Sequence, residues 1–267
     1  MEVIGGFWTN SLALLSDAGH MLSDIAALGL SLGAIWFSVK PAHEGKTFGY
    51  FRAEILVAFV NGGILIAIAT VIFHEAYHRI LSPQEVKAIP MVGIATAGLI
   101  VNLFAAILLF KGSTYSMNIR AVLFHVAGDA LGSLGAITAG VVIWLRGWNW
   151  FDPLISFFIG SIIIYGAWHL LWETTHILMQ GTPSHLQTNE IKQDMMNVEG
   201  VHCVNDLHIW TLTSHVDILT AHVVVNDVRN GMNILTDLHV LLRNKYGLEH
   251  VTIQLEEESM GNCRLFD

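Results

Sequence analysis

Long apolar runs separated by short polar ones fill the first two thirds of the chain, and the rhythm changes near residue 180. Asp, Glu, Lys and Arg are absent from Ile55 to His74, from Ala88 to Phe110 and from Pro153 to Trp172. A bilayer core about 30 Å thick takes about 20 apolar residues to cross as helix, so each run predicts a membrane span. Two further runs, Leu12 to Val39 and Ser116 to Leu145, have similar character but carry interior acids at Asp17, Asp24 and Asp129. Met1 to Thr9 is too short to span, and it lacks the basic region and cleavage site of a signal peptide.

Past Gly181-Thr182-Pro183 charged residues become frequent, and a second domain is expected over 181–267 after a transmembrane domain over 1–180. Ser184 to Val198 and Met232 to Tyr246 carry apolar residues at helical intervals. Val204 to Leu212, Val216 to Val225 and Val251 to Leu255 alternate and are rich in β-branched residues, as strands are. The order α-β-β-α-β suits a small ferredoxin-like sheet with helices on one face. The predicted fold class is therefore a helical polytopic membrane domain followed by a C-terminal α+β domain.

Composition supports that division. Of 267 residues 53% are hydrophobic and only 13% charged, with a mean hydropathy of +0.55. Soluble domains carry about a quarter charged residues, so one globular core is excluded. A formal charge of −9 does not fit a nucleic-acid footprint, which is basic and clustered on one face. Cys203 and Cys263 form no Cys-x-x-Cys pattern and are read as reduced thiols. The basic residues Lys40, Lys46, Arg52, Lys111 and Arg120 mark the cytoplasmic loops by the positive-inside rule and place the tail inside.

Histidine is the anomaly: there are 14, against 13 Lys and Arg together. His20 and Asp24 stand four apart in one span, and His125 and Asp129 repeat the spacing in another, so each pair shares one helix face. An acid at membrane depth costs about 2.5–3.5 kcal/mol on insertion scales and normally faces a partner or a wet cavity. Two imidazoles and two carboxylates supply the number and type of ligands that a tetrahedral zinc site takes. The alternative is a pair of structural His-Asp couples between helices. Asp17 shares the face of His20 and is a candidate auxiliary ligand, proton acceptor or gate. Gly29 with Gly33 and Gly128 with Gly132 are small-xxx-small patterns that permit close helix approach. Asn61 and Asn102 are expected to hydrogen-bond between helices.

At this point the residues carry a resemblance. Ser16-Asp17-Ala18-Gly19-His20-Met21-Leu22-Ser23-Asp24, Phe48-Gly49-Tyr50 with Arg52-Ala53-Glu54, His125-Val126-Ala127-Gly128-Asp129, Asp152-Pro153 and Asp206-Leu207-His208-Ile209-Trp210 together resemble the cation diffusion facilitator family of zinc transporters. The resemblance implies six transmembrane helices, a cytoplasmic ferredoxin-like domain, a homodimer in the bilayer and exchange of zinc for protons. It puts His20 and Asp24 at the ligand positions of the second family helix and His125 and Asp129 at those of the fifth. The first family helix is visible only as its end, Met1 to Phe7, so five spans are expected in this sequence. His43 and Glu44 are the remaining candidates for a loop site, and the short segment between Lys111 and Arg120 points to a bacterial-type member of the cytoplasmic membrane.

In the tail the resemblance puts His222 and Glu256 at positions that bind zinc, with His208 and His250 as further candidates. Zinc is then both transported substrate and regulatory ligand, with cadmium and cobalt as alternatives, and no enzyme activity is implied. Two other readings stay open. His74-Glu75-Ala76-Tyr77-His78 fits the His-Glu-x-x-His pattern of zinc proteases, and a membrane protein that senses zinc without moving it would carry the same ligand pairs.

Overall fold

The computed structural model describes the backbone of the chain except residues 39, 41, 114–116, 215 and 258–267. The side chains of 31, 35, 38, 109–113, 117–125 and 228 also lie outside the description. The chain divides into two compact units, one of residues 1–30 with 60–171 and one of 31–59 with 172–267.

The order of the elements is α1 (Glu2–Thr9), α2 (Leu12–Ser38), α3 (Ala53–Leu81), α4 (Ala88–Ser113), α5 (Met117–Arg146), α6 (Phe151–Leu178), α7 (Thr188–Met196), β1 (Val201–Thr213), β2 (Val216–Val225), α8 (Gly231–Tyr246) and β3 (His250–Glu257). The five expected spans coincide with the helices α2 to α6, and α2, with its interior acids, is the one that does not reach the apolarity of a span over the described residues. Among the described residues four helices are long and apolar enough to cross a membrane: Ala53–Leu81, Ala88–Leu108, Val126–Arg146 and Phe151–Leu178. The 27 residues of α2 extend about 40 Å.

In the first unit small residues let the helices approach. Ala69, Met91, Ala95, Ala136 and Ala139 are fully buried together with Ala13 and Leu14. Without a hydrophobic force between lipid-facing helices, such close packing supplies the association energy. Asn10, in the left-handed conformation at φ 58°, ends α1. Its side-chain amide donates to Gln84 Oε1 at 3.1 Å and to the Glu85 carbonyl at 3.2 Å, and its own carbonyl accepts from Arg79 at 2.7 Å. The α1–α2 turn is thus fastened to the end of α3 and the segment after it. Ser23 donates to Asn61 Oδ1 at 3.3 Å, joining α2 to α3 as expected.

In the second unit β1 pairs antiparallel with β2, and β2 pairs parallel with β3, in the sheet order β1-β2-β3. Ile191 and Met195 from α7 and Ile234, Leu238 and Leu242 from α8 bury against Val204, Leu219, Ala221 and Val223. Gly247, at φ 69°, closes α8: its N–H bonds the Arg243 carbonyl and that of Leu248 bonds the Leu242 carbonyl, a left-handed ending that glycine enters without a Cβ penalty. Lys245 and Tyr246 both bond the Asp194 carboxylate, tying α8 to α7. Glu54, in the first turn of α3, accepts the hydroxyls of Thr213 at 2.8 Å and Ser214 at 2.9 Å at the β1–β2 turn. Cys203, expected as a reduced thiol, is disulfide-bonded, a pairing that leaves no signature in spacing.

Candidate metal site

A helix repeats every 3.6 residues, so His20 and Asp24 emerge from one side of α2 a single turn apart. The side of α5 that carries Asp129 faces them. His20 Nε2 lies 3.6 Å from Asp24 Oδ2 and 3.8 Å from Asp129 Oδ1, and one ligand atom from each residue falls within 4.8 Å of the others. Zinc bonds to nitrogen and oxygen of about 2.0–2.2 Å put tetrahedral ligand atoms about 3.3–3.6 Å apart. The three groups stand close to that spacing, and a small contraction onto an ion closes it. Asp129 is largely buried, whereas the side chains of His20 and Asp24 are 26% and 25% exposed, which leaves the cluster open on one side. His125 precedes Asp129 by one turn of α5, and its side chain lies outside the described residues.

Asp17 does not join this cluster. It is buried, accepts the Ser133 hydroxyl at 3.3 Å, and rests where a Cβ on Gly132 would come within 2.7 Å of its Oδ1. Gly132 is therefore a slot cut in α5 for a carboxylate. Among the described residues nothing lies within 4 Å of a Cβ placed on Gly29, Gly33 or Gly128. Sequence reasoning passed over Glu2, which is 7% exposed; an acid in the apolar stretch Met1 to Phe7 was the available signal.

A second group lies on the sheet. His222 Nδ1 is 2.8 Å from Glu256 Oε1, and its Nε2 is 3.9 Å from Asp206 Oδ2; His208 Nε2 is 3.0 Å from Asp206 Oδ1. Glu256 also accepts from Gln254 at 3.0 Å. His222 thus offers its two ring nitrogens to different carboxylates, with Asp206 linking it to His208. Asp206, at φ 50° in the irregular stretch of β1 between Asn205 and His208, was missed as a partner although it stands two residues before His208. His250 is not brought in: it pairs with Ile218, whereas His222 pairs with Gln254, four strand positions or about 13 Å away.

The remaining candidates are occupied otherwise. His43 accepts the Gly45 N–H on Nδ1 at 3.2 Å and has Tyr50 Oη 3.4 Å from Nε2. On α3 the His74 and His78 rings meet edge to face at 4.5 Å, while Glu75 holds Arg79 at 2.7 Å, which draws the glutamate away from the role of general base.

Comparison with known proteins decides the family. Residues 1–179 match the cation efflux transmembrane domain. The chain belongs to the cation efflux family. Residues 183–258 of this cation efflux protein match the family's cytoplasmic domain. It is 42% identical to the cadmium, cobalt and zinc/H(+)-K(+) antiporter of Bacillus subtilis over 97% of this chain and 85% of the relative. It is 39% identical to the zinc transporter ZitB of Escherichia coli over 96% and 82%. A solved structure, the metal-bound C-terminal domain of the CzcD transporter from Cupriavidus metallidurans, is 39% identical, covering 27% of this chain and 99% of its own, at a TM-score of 0.26. This cation efflux protein is thus an integral membrane metal-cation transporter with a cytoplasmic C-terminal domain, and its relatives are transporters rather than enzymes. Neither the protease nor the non-transporting sensor gains support from them.

Proposed function

We propose that this protein exports zinc from the cytoplasm in exchange for protons, by alternating access through a site of His20, Asp24, His125 and Asp129. The observation that carries the reading is the convergence of His20, Asp24 and Asp129 from α2 and α5 within 4.8 Å; His125 on α5 supplies the fourth ligand. Imidazole must be neutral and carboxylate ionised to bind, so metal entry displaces protons, and a histidine near pKa 6.5 makes the exchange responsive to modest pH differences. Cadmium and cobalt, named for the Bacillus relative, suit the same donor set. Zinc flux in proteoliposomes is the test: uptake that survives His125→Ala with Asp129→Ala refutes the site, and indifference to an imposed pH gradient refutes the antiport.

Residues 181–267 form, on this reading, a platform on which two copies pair and a regulatory metal site built on His222 and Glu256, with Asp206 and His208 beside them. The contact of His222 with Glu256 at 2.8 Å supports it. Zinc binding to a His20→Ala, Asp129→Asn protein that is unchanged by His222→Ala removes the regulatory site.

A further inference from the structure

Two carboxylates in the first unit belong neither to the metal cluster nor to a helix cap. Glu2 on α1 is 7% exposed and Asp17 on α2 is 2% exposed. Each is seated against a bare glycine backbone: a Cβ on Gly132 would come 2.7 Å from Asp17 Oδ1, and a Cβ on Gly98 would overlap Glu2 Oε1 while standing 3.5 Å from Ser133 Oγ. Ser133, fully buried, donates its hydroxyl to Asp17 Oδ2 at 3.3 Å. Glu2, Ser133 and Asp17 therefore meet around one patch where α4 and α5 lack side chains. Glu2 Oε2 is enclosed there and has no hydrogen-bond partner among the described residues. Among the described residues the charges that act on the pair are the amino group of Met1, one residue before α1, and the carboxylate of Asp129 on α5, besides those of the pair themselves.

We infer that Glu2 and Asp17, gathered beside Ser133, form a proton-binding site that carries one returning proton in addition to those exchanged at the metal ligands. This deepens the zinc-for-proton reading above and rests on it. Two enclosed carboxylates that no cationic side chain among the described residues faces are costly to ionise together, and one proton on the pair removes that cost. Asp129 belongs to both neighbourhoods: it lies in the metal cluster, and its charge acts on Glu2 and on Asp17. A divalent ion bound at Asp129 cancels the negative charge of the cluster that favours a proton on the pair, so the proton leaves to water, and departure of the ion lets a proton return. The coupling is reciprocal by linkage, so a bound proton weakens the metal by the same factor.

The test counts protons. The purified full chain in detergent is titrated with zinc chloride in weakly buffered solution carrying a pH indicator, beside the Glu2→Gln, Asp17→Asn double variant. The double variant is expected to bind as much zinc and to release about one proton fewer per ion, and its apparent Kd is expected to fall about tenfold less per pH unit. An unchanged proton count overturns the proposal. If the double variant does not fold, the infrared band of the protonated carboxyl is followed in the wild-type chain: it is expected to disappear when zinc chloride is added, and a band that zinc leaves unchanged overturns the proposal equally. Failure of the metal site registers separately, as zinc binding to a His222→Ala protein that adding His20→Ala and Asp129→Asn leaves undiminished.

Discussion

The carboxylate of Asp152, in the first turn of α6, accepts the hydroxyl of Ser11 at 2.6 Å at the start of α2. The same carboxylate takes the backbone N–H groups of Leu12 at 2.7 Å and Ala13 at 3.2 Å, while Ser11 Oγ takes that of Leu14 at 3.2 Å. Four donors at the buried end of the helix that carries His20 and Asp24 are thus satisfied partly from another helix. In hydrocarbon no water replaces such partners, so Asp152 fixes where α2 begins and with it the height of the ligands.

Asp152→Ala leaves three of those donors unpaired. It is expected to cost about 2–4 kcal/mol, read as a fall in the midpoint of thermal unfolding in detergent. Asp152→Asn, which keeps one acceptor oxygen, is expected to lose less.

Removing a metal ligand should act on binding rather than on folding. Asp129→Asn and His20→Ala are each expected to weaken zinc by more than about 100-fold, beyond what loss of an outer-shell partner costs, with the unfolding midpoint of the metal-free protein nearly unchanged. Isothermal titration with zinc chloride measures the first and thermal unfolding the second.

The glycines give a paired prediction. Gly132→Ala drives a methyl against Asp17 and is expected to cost about 1–3 kcal/mol, as overpacking does. Gly128→Ala, one turn away, meets nothing within 4 Å, and is expected to be neutral or slightly stabilising because alanine favours helix by about 1 kcal/mol. Equal effects of the two substitutions on the unfolding midpoint would refute the slot.

A pH dependence follows from the α7–α8 contact. Hydrogen bonds from Lys245 and Tyr246 hold the Asp194 carboxyl below its usual range, and the bond to Asp194 holds the Lys245 ammonium above its own. A depressed acid stabilises the fold above its unfolded pKa of about 3.9 and ceases to as pH falls through the lower folded value. A raised lysine stabilises below its unfolded pKa of about 10.4 and ceases to as pH rises through the higher folded value. The stability gap between the wild type and Asp194→Asn should therefore be constant across neutral pH and close below about pH 4. The pair is exposed, so the gap is small.

Glu54 holds the β1–β2 turn through two hydroxyls. Glu54→Ala is expected to speed hydrogen exchange at residues 211–217 by about tenfold, the equivalent of one lost charge-assisted bond, without slowing exchange in α8.

Much of this was readable from residue order, for identifiable reasons. A span needs a run of apolar residues, and no tertiary context is required to see one, so α3, α4 and α6 fall where the charge-free runs lie. The His-x-x-x-Asp spacing defines a helix face before any packing is known, which is why His20, Asp24 and Asp129 could be named together. Partnerships across helices have no such local sign. Glu2 lies in a segment too short to read as a span, Asp206 looked like an ordinary strand acid, and Gly132 looked like one half of a packing motif.

The sequence by itself determined where the chain is apolar, where its period changes from helix to strand, and which faces carry imidazole and carboxylate, because those properties repeat along one element. The tertiary structure alone decided that α5 brings Asp129 to His20, that Asp152 caps α2, and that Gly98 and Gly132 seat the carboxylates of Glu2 and Asp17. Each of these joins groups on different helices, and distance between helices is set by packing, which residue order does not record.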